Sequence, residues 1–523
     1  MPTQVLPPGL TQESFDEALD AFRAAIGAQW VFTSDADRAS YLDPFDIGDQ
    51  QDHASAAALA PTDVEDCQKI LAIANHYKVP LWPVSMGKNF AYGTAAPEMR
   101  GTVILDLKRM NRIIEIDEQM GTAVVEPGVS FFDFKAELDR RGSGLWMSGP
   151  AHSWGSVIGN ALEHGVGYTP YGQHAEQICG MEVLLADGTL VRTGLGALEG
   201  TREWQAYRWP FGPALDGMFT QSNFAIVTKM GLWLMPEPEG MAGVSIRVPR
   251  KDDFRALVDT LRPLRMTDTI NAPYTIANGW RQITGGRVRS EVWDGPGAIP
   301  QARMEELLDE RGNGWWSVIF NLFDSPAGLD LRLEKIRRAF AEGVPGATIE
   351  VRRWQQGEPQ QAWMRQEVSL APLGAVDWGG SPGGHSDLGP IVAPLGDRAE
   401  QVYEIIEQRF LEYGKDPWVG MFGISSRALV FVADMYFTRT DAEETARCRA
   451  LFRQLCKDMQ AIGVGLYRTH LRFMDDAAAM HAWGDHALPR FNDRIKAALD
   501  PNGILAPGKQ GIGSWDKRDG ADR

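Results

Sequence analysis

Two glycine-rich segments constrain this chain more than anything else in it. Pro83-Val-Ser-Met-Gly-Lys-Asn-Phe-Ala-Tyr-Gly93 follows a short apolar run, and Gly155-Ser-Val-Ile-Gly-Asn-Ala-Leu-Glu-His-Gly-Val-Gly-Tyr-Thr-Pro-Tyr-Gly172 comes later. Small residues let a ligand approach main-chain N–H groups, and two such loops suit one elongated dinucleotide. The first loop alone reads equally as an ordinary glycine turn. Neither segment has the G-x-G-x-x-G spacing of a Rossmann unit, which disfavours a nicotinamide enzyme. Gly87, Lys88 and Asn89 in the first, with Gly155, Ser156, Gly159 and Asn160 in the second, are the candidate cofactor-binding residues.

A chain of 523 residues exceeds what one core usually serves, so two or more domains are expected. Cys67 and Cys179 are isolated and Cys448 and Cys456 lie eight apart, so no zinc or iron–sulfur pairing is present and no metal is expected. A reduced, cytoplasmic setting follows. Met1 to Leu10 has neither a basic start nor an apolar run, and no later stretch reaches the ~20 apolar residues of a membrane span. A formal charge of −17 opposes binding to a phosphate backbone, which argues against nucleic acid as a partner.

Phe15, Leu19, Phe22 and Ile26 share one helical face over residues 14–28, and Pro61-Thr-Asp-Val-Glu65 caps a helix over 63–77. Strands are predicted at 79–84, 101–107 and 121–125, with Met110 to Ile113 turning between the last two. A helix over 131–140 and a hairpin over 180–193, turning at Asp187-Gly188, complete an α+β pattern. Composition shifts to proline and glycine at Met235 to Gly243, the best boundary. A strand at Val244–Val248 and helices at 253–261 and 441–461 follow, with a loop-like span over 372–396, and the tail from Lys517 to Arg523 is expected to fray.

Leu466-Tyr-Arg-Thr-His470 sets a tyrosine beside a fixed cation, shortly before Asp500-Pro-Asn-Gly-Ile-Leu-Ala-Pro-Gly-Lys509. With the two glycine segments, these blocks give the chain a nearly full-length resemblance to the vanillyl-alcohol oxidase and 4-cresol dehydrogenase family of flavoproteins, closest in flavour to bacterial eugenol-oxidase-like members. Glu126-Pro-Gly128 and Phe219 to Val227 match flavin-domain stretches too. The resemblance implies an α+β, two-domain FAD-binding fold: residues 1–237 and 463–523 form the FAD domain, and 238–462 a mixed-sheet cap. It implies FAD attached covalently through His385, with Tyr168 and Lys509 also at the cofactor, and a homodimer.

Tyr92, Tyr467 and Arg468 match the family's phenolate-binding trio. Their chemistry is arguable independently: a phenol with a pKa near ~10 needs donors and a cation to be held as its anion near neutral pH. The implied activity is oxidation of para-substituted phenols by benzylic hydride transfer to flavin through a para-quinone methide, with molecular oxygen reduced to hydrogen peroxide. Two alternatives stay open: a hydroxylating dehydrogenase that passes electrons to a cytochrome, and a non-catalytic flavin electron-transfer module.

The chain departs from the pattern at Ala151, where close relatives carry an aspartate. His152 or Asp387 is the expected substitute, since either can take a proton. His53 reads either as an aid to flavin attachment or as a solvated loop residue, and His470 as a packing residue. Ala151, Gly389 and Gly420 read either as room for a bulky substrate or as tight backbone packing.

Overall fold

The computed structural model describes residues 5–284, 287–361, 363–364 and 374–513. Helix Gln12–Ile26 buries Phe15, Leu19, Phe22 and Ile26, as its periodicity predicts, and packs on helix Val64–Tyr77, whose N-cap Asp63 accepts from the Asp66 amide. Both cover a four-stranded sheet ordered Val31–Phe32, Ala58–Leu59, Val103–Asp106, Leu81–Val84, whose last three strands are mutually parallel.

A second sheet of five antiparallel strands runs in the order Ile113–Asp117, Thr122–Val125, Ile226–Trp233, Ile178–Leu184, Leu190–Arg192. The predicted hairpin is its edge, with Glu182 opposite Arg192. The turn expected from Met110 to Ile113 instead leads into a strand of its own, and the strands on either side of it lie in different sheets. In that edge strand, Ile-Ile-Glu-Ile-Asp, the apolar residues do not alternate cleanly and Ile114 faces solvent, so no period-two pattern marked it.

Strand Gly240–Val248 belongs to a third sheet, of nine strands, joined along Thr348–Gln355, Gly240–Val248, Trp316–Asp324, Tyr274–Asn278, Trp418–Gly423, Leu429–Thr438, Pro390–Val392 and Gly465–Leu466, with Gly383–Leu388 also on Leu429–Thr438. Helices Phe254–Met266, Pro326–Gly343, Gly396–Glu412 and Ala442–Ala461 pack against it and share its core. Phe254 stacks on Trp316 at 4.4 Å between ring centroids inside that core.

The span predicted as loop over 372–396 contains two strands and a turn of 3-10 helix over Gly374–Gly379. Residues 372 and 373 lie outside the described residues, but Gly383–Leu388 and Pro390–Val392 are sheet. Its glycines serve close approach, not a loop: a Cβ on Gly383 would come within 2.1 Å of the Val376 carbonyl oxygen. The tail from Lys517 also lies outside the described residues. After Gly465–Leu466 the chain crosses back, and Leu505 bridges to Leu81 in the first sheet. Among the described residues no helix is long and apolar enough to cross a membrane.

Candidate active site

A cleft with about 1470 Å³ free of protein atoms lies among residues 82–96, 152–163, 219–227 and 468–510. Gly87, Lys88, Asn89, Gly155, Ser156, Gly159, Asn160 and Lys509 line it, together with Tyr92, His152 and Arg468. Tyr168, His385 and Asp387 do not. Tyr467 lines a smaller neighbouring cavity, which meets the cleft at Arg468 and Thr469.

Local bonding shapes the walls. The Ser156 hydroxyl donates to the Pro127 carbonyl at 2.6 Å and accepts from the Gly159 amide at 3.0 Å, so it fixes the loop. Asn160 Oδ1 is bonded to Nδ1 of His174, a buried imidazole that burial pushes down to about 3. The Lys509 ammonium pairs with Glu163. Burial alone would raise the Glu163 carboxyl, but Lys509 outweighs it and leaves it below the usual range. Five buried polar atoms on the cleft wall, Thr94 Oγ1, His152 Nδ1, Asn223 Oδ1, Arg468 Nε and Thr469 Oγ1, have no partner among the described residues. Buried polar atoms are seldom left unpaired, so a long cleft with this lining fits a polar dinucleotide such as FAD.

The guanidinium of Arg468 lies 4.1 Å from the Tyr92 ring centroid and 5.3 Å from that of Tyr467. Its Nη1 donates to the Glu163 carbonyl at 3.2 Å. Burial pushes the Tyr92 hydroxyl well up; Arg468 opposes this and the Asp387 carboxyl adds to it. Burial also raises Tyr467 against the pull of Arg468. Burial disfavours the charged Arg468, but the two tyrosines outweigh it and its pKa rises further. The result is a permanent cation flanked by two neutral phenols. The Tyr467 hydroxyl already donates to the His164 carbonyl, and Gln221 Nε2 donates to the Tyr467 carbonyl at 3.2 Å.

His385 stands on strand Gly383–Leu388, stacked on Tyr436 at 5.9 Å and edge-on to Phe45. Its Nε2 is 3.9 Å from Asp387 Oδ1, and its buried Nδ1 has no partner. Across the sheet sits Asp434, held by Arg281 at 3.3 Å. His152 faces the cleft, stacked on Trp154; burial, then the His385 ring, lowers its pKa.

His53 is neither solvated nor on the cleft: it is buried, with Nδ1 on the Glu98 carbonyl at 2.8 Å. His470 is a packing residue, buried with Nε2 2.9 Å from Asp43. Gly420 serves packing, since a Cβ there would lie 2.4 Å from Arg281 Nη1, while one on Gly389 would make only ordinary contacts. Sequence reasoning passed over Glu163, His164, His174, Arg281 and Asp434. Only Asp434 carried a signal, as a lone acid in the apolar run Leu429-Val-Phe-Val-Ala-Asp-Met-Tyr-Phe437.

Residues 55–194 match the FAD binding domain family, and residues 323–510 match the C-terminal domain of FAD linked oxidases. The flavoprotein subunit of 4-cresol dehydrogenase [hydroxylating] from Pseudomonas putida is 35% identical over 97% of this chain and 98% of its own. A 4-ethylphenol oxidase from Gulosibacter chungangensis, in complex with isoeugenol, superposes with a TM-score of 0.92 at 34% identity, covering 98% of this chain and 100% of that one. A p-cresol methylhydroxylase with substrate bound gives 0.91 at 35% identity over 97% and 99%. Alkyldihydroxyacetonephosphate synthase, at 14% identity and a TM-score of 0.64, shares the fold alone. The chain belongs to the vanillyl-alcohol oxidase and 4-cresol dehydrogenase family of FAD-dependent phenol oxidoreductases.

Proposed function

We propose that the chain oxidises para-substituted phenols, namely 4-alkylphenols, 4-allylphenols or 4-hydroxybenzyl alcohols, at the benzylic carbon, with molecular oxygen as the final electron acceptor and hydrogen peroxide as product. One observation carries this reading: the Arg468 guanidinium lies against the rings of both Tyr92 and Tyr467, at the wall of the cleft. A buried cation with neutral hydroxyl donors beside it stabilises a phenolate, and does so in a dry site that needs no reorganisation. The named relatives act on 4-cresol and 4-ethylphenol, which supports the substrate class.

FAD bound along the cleft supplies the acceptor for a hydride from the benzylic carbon. Gly87, Lys88, Asn89, Gly155, Gly159 and Lys509 surround its site, and a ring nitrogen of His385, whose buried Nδ1 has no partner among the described residues, would carry it covalently. Arg468 and Tyr92 hold the phenolic oxygen, first as the phenolate and then as the carbonyl of the para-quinone methide. Asp387 and His152 are the groups that handle the proton of an attacking water. The test is anaerobic mixing of the holoenzyme with 4-ethylphenol. Bleaching of the flavin is expected, and its absence would overturn the reading. Peroxide release on adding air separates an oxidase from a dehydrogenase that reduces a cytochrome.

A further inference from the structure

Strands Gly383–Leu388 and Leu429–Thr438 pair antiparallel, with His385 opposite Tyr436 and Asp387 opposite Asp434. Alternation puts these four side chains on one face of the sheet. A ring nitrogen of His385 and one carboxyl oxygen from each aspartate fall within 4.8 Å of one another. Both aspartates are buried, at 7% and 5% exposure. Asp387 Oδ1 has no hydrogen-bond partner, whereas Asp434 Oδ2 accepts from Arg281 Nη1 at 3.3 Å. Two carboxylates this close and this dry do not both stay charged beside a single guanidinium.

We propose that Asp387 and Asp434 hold one proton between them, and that Asp387 takes a proton from water as the water oxygen adds to the benzylic carbon of the oxidised substrate. This rests on the phenol-oxidation reading. In the step, an O–H bond of water breaks and its proton passes to Asp387. A C–O bond forms at the benzylic carbon, and the ring electrons return to the phenolic oxygen beside Arg468. No second oxidant is required, because the quinone methide is already two electrons short of the phenol.

The surroundings agree with this division of labour. Burial, reinforced by Asp387, pushes the Asp434 carboxyl well above the usual range, so Asp434 keeps the shared proton. Asp387 Oδ1 lies 3.9 Å from Nε2 of His385, whose ring in turn bears on the cleft-wall residue His152, and Ala151 supplies no acid. Asp434 and Arg281 are positioning residues: Arg281 lies over the Trp418 ring at 4.2 Å, in the space that Gly420 leaves open. The groups facing the pair are Arg281 from helix Gly279–Ile283, His385 from the Asp387 strand, Tyr436 from the Asp434 strand and Tyr92 from the first glycine loop.

The quinone methide of 4-ethylphenol has two fates, hydration to 1-(4-hydroxyphenyl)ethanol and proton loss to 4-vinylphenol. Their ratio is set after hydride loss and is therefore read independently of the rate of flavin reduction. In the holoenzyme, Asp387→Asn should lower the alcohol-to-vinylphenol ratio at least about tenfold. Asp434→Leu should do the same, while Asp434→Asn, whose amide donates to Asp387 as the protonated carboxyl does, should keep the ratio within about threefold. The wild-type ratio should fall at acid pH as the pair takes up its second proton. An unchanged ratio in Asp387→Asn, a ratio flat with pH, or Asp434→Asn as damaging as Asp434→Leu would overturn the proposal. Should Asp434→Leu not fold, Asp387→Asn and the wild-type pH profile decide alone. Reduced flavin with an unchanged ratio defeats only this proposal, whereas no reduction by 4-ethylphenol defeats the oxidation reading and this proposal with it.

Discussion

The hydroxyl of Tyr467 donates to the backbone carbonyl of His164, a residue whose φ of 54° places it in the left-handed region. The turn at His164 presents two successive carbonyls to neighbouring side chains, that of Glu163 to Arg468 and that of His164 to Tyr467. Left-handed backbone is tolerable for histidine and poor for β-branched residues. His164→Gly should therefore stay within about 1 kcal/mol of wild type, since relief of strain and added chain entropy offset each other. His164→Val should cost about 2 kcal/mol or more in urea unfolding. Equal stability of the two variants would show that the turn is not strained.

Arg468→Leu removes the only charge in the phenolate grip, and anaerobic flavin reduction by 4-ethylphenol should slow by about 10²- to 10³-fold. Tyr467→Phe loses one donor and keeps the ring against Arg468, so it should be milder, with a stability loss of about 1 kcal/mol from the broken bond to His164. Near-wild-type reduction in Arg468→Leu would remove this residue from the mechanism.

Acid-denatured holoenzyme should retain its yellow chromophore, and its intact mass should exceed that of the chain by one FAD. Chromophore released in full, with the bare chain mass, would show that His385 makes no stable link. In His385→Ala the flavin should be bound yet extractable.

His174 gives a stability term with a definite sign. In the unfolded chain histidine takes a proton below about pH 6.5, whereas burial keeps folded His174 neutral down to about 3. The unfolded state thus binds more protons in this window, so the contribution is complete above about pH 6.5 and lost as pH falls, by about 1.4 kcal/mol per unit. Between pH 7 and 5 wild type should lose about 2 kcal/mol more than His174→Gln, read from urea midpoints. Parallel losses would mean that His174 protonates freely in the fold.

The helices were legible because their apolar spacing is regular, as in Phe15, Leu19, Phe22 and Ile26. Strand Ile113–Asp117 was not, because its isoleucines break the apolar–polar alternation and one of them, Ile114, faces solvent at the sheet edge. Residues 383–392 read as loop because a close cross-strand approach demands the same glycines that a turn does. At the site, the cleft-lining loops and Arg468 were visible as local runs. The partnership of Asp387 with Asp434 was not, since it depends on strand register between two residues 47 apart in sequence.

The last cap strand, Gly465–Leu466, pairs with Pro390–Ile391, and the very next residues are Tyr467 and Arg468. The chain thus passes directly from the third sheet into the residues proposed to hold the substrate. If Tyr467 and Arg468 hold the phenol as proposed, a change that shifts the Gly465–Leu466 pairing with Pro390–Ile391 should alter phenol affinity even though it touches no side chain in the cleft.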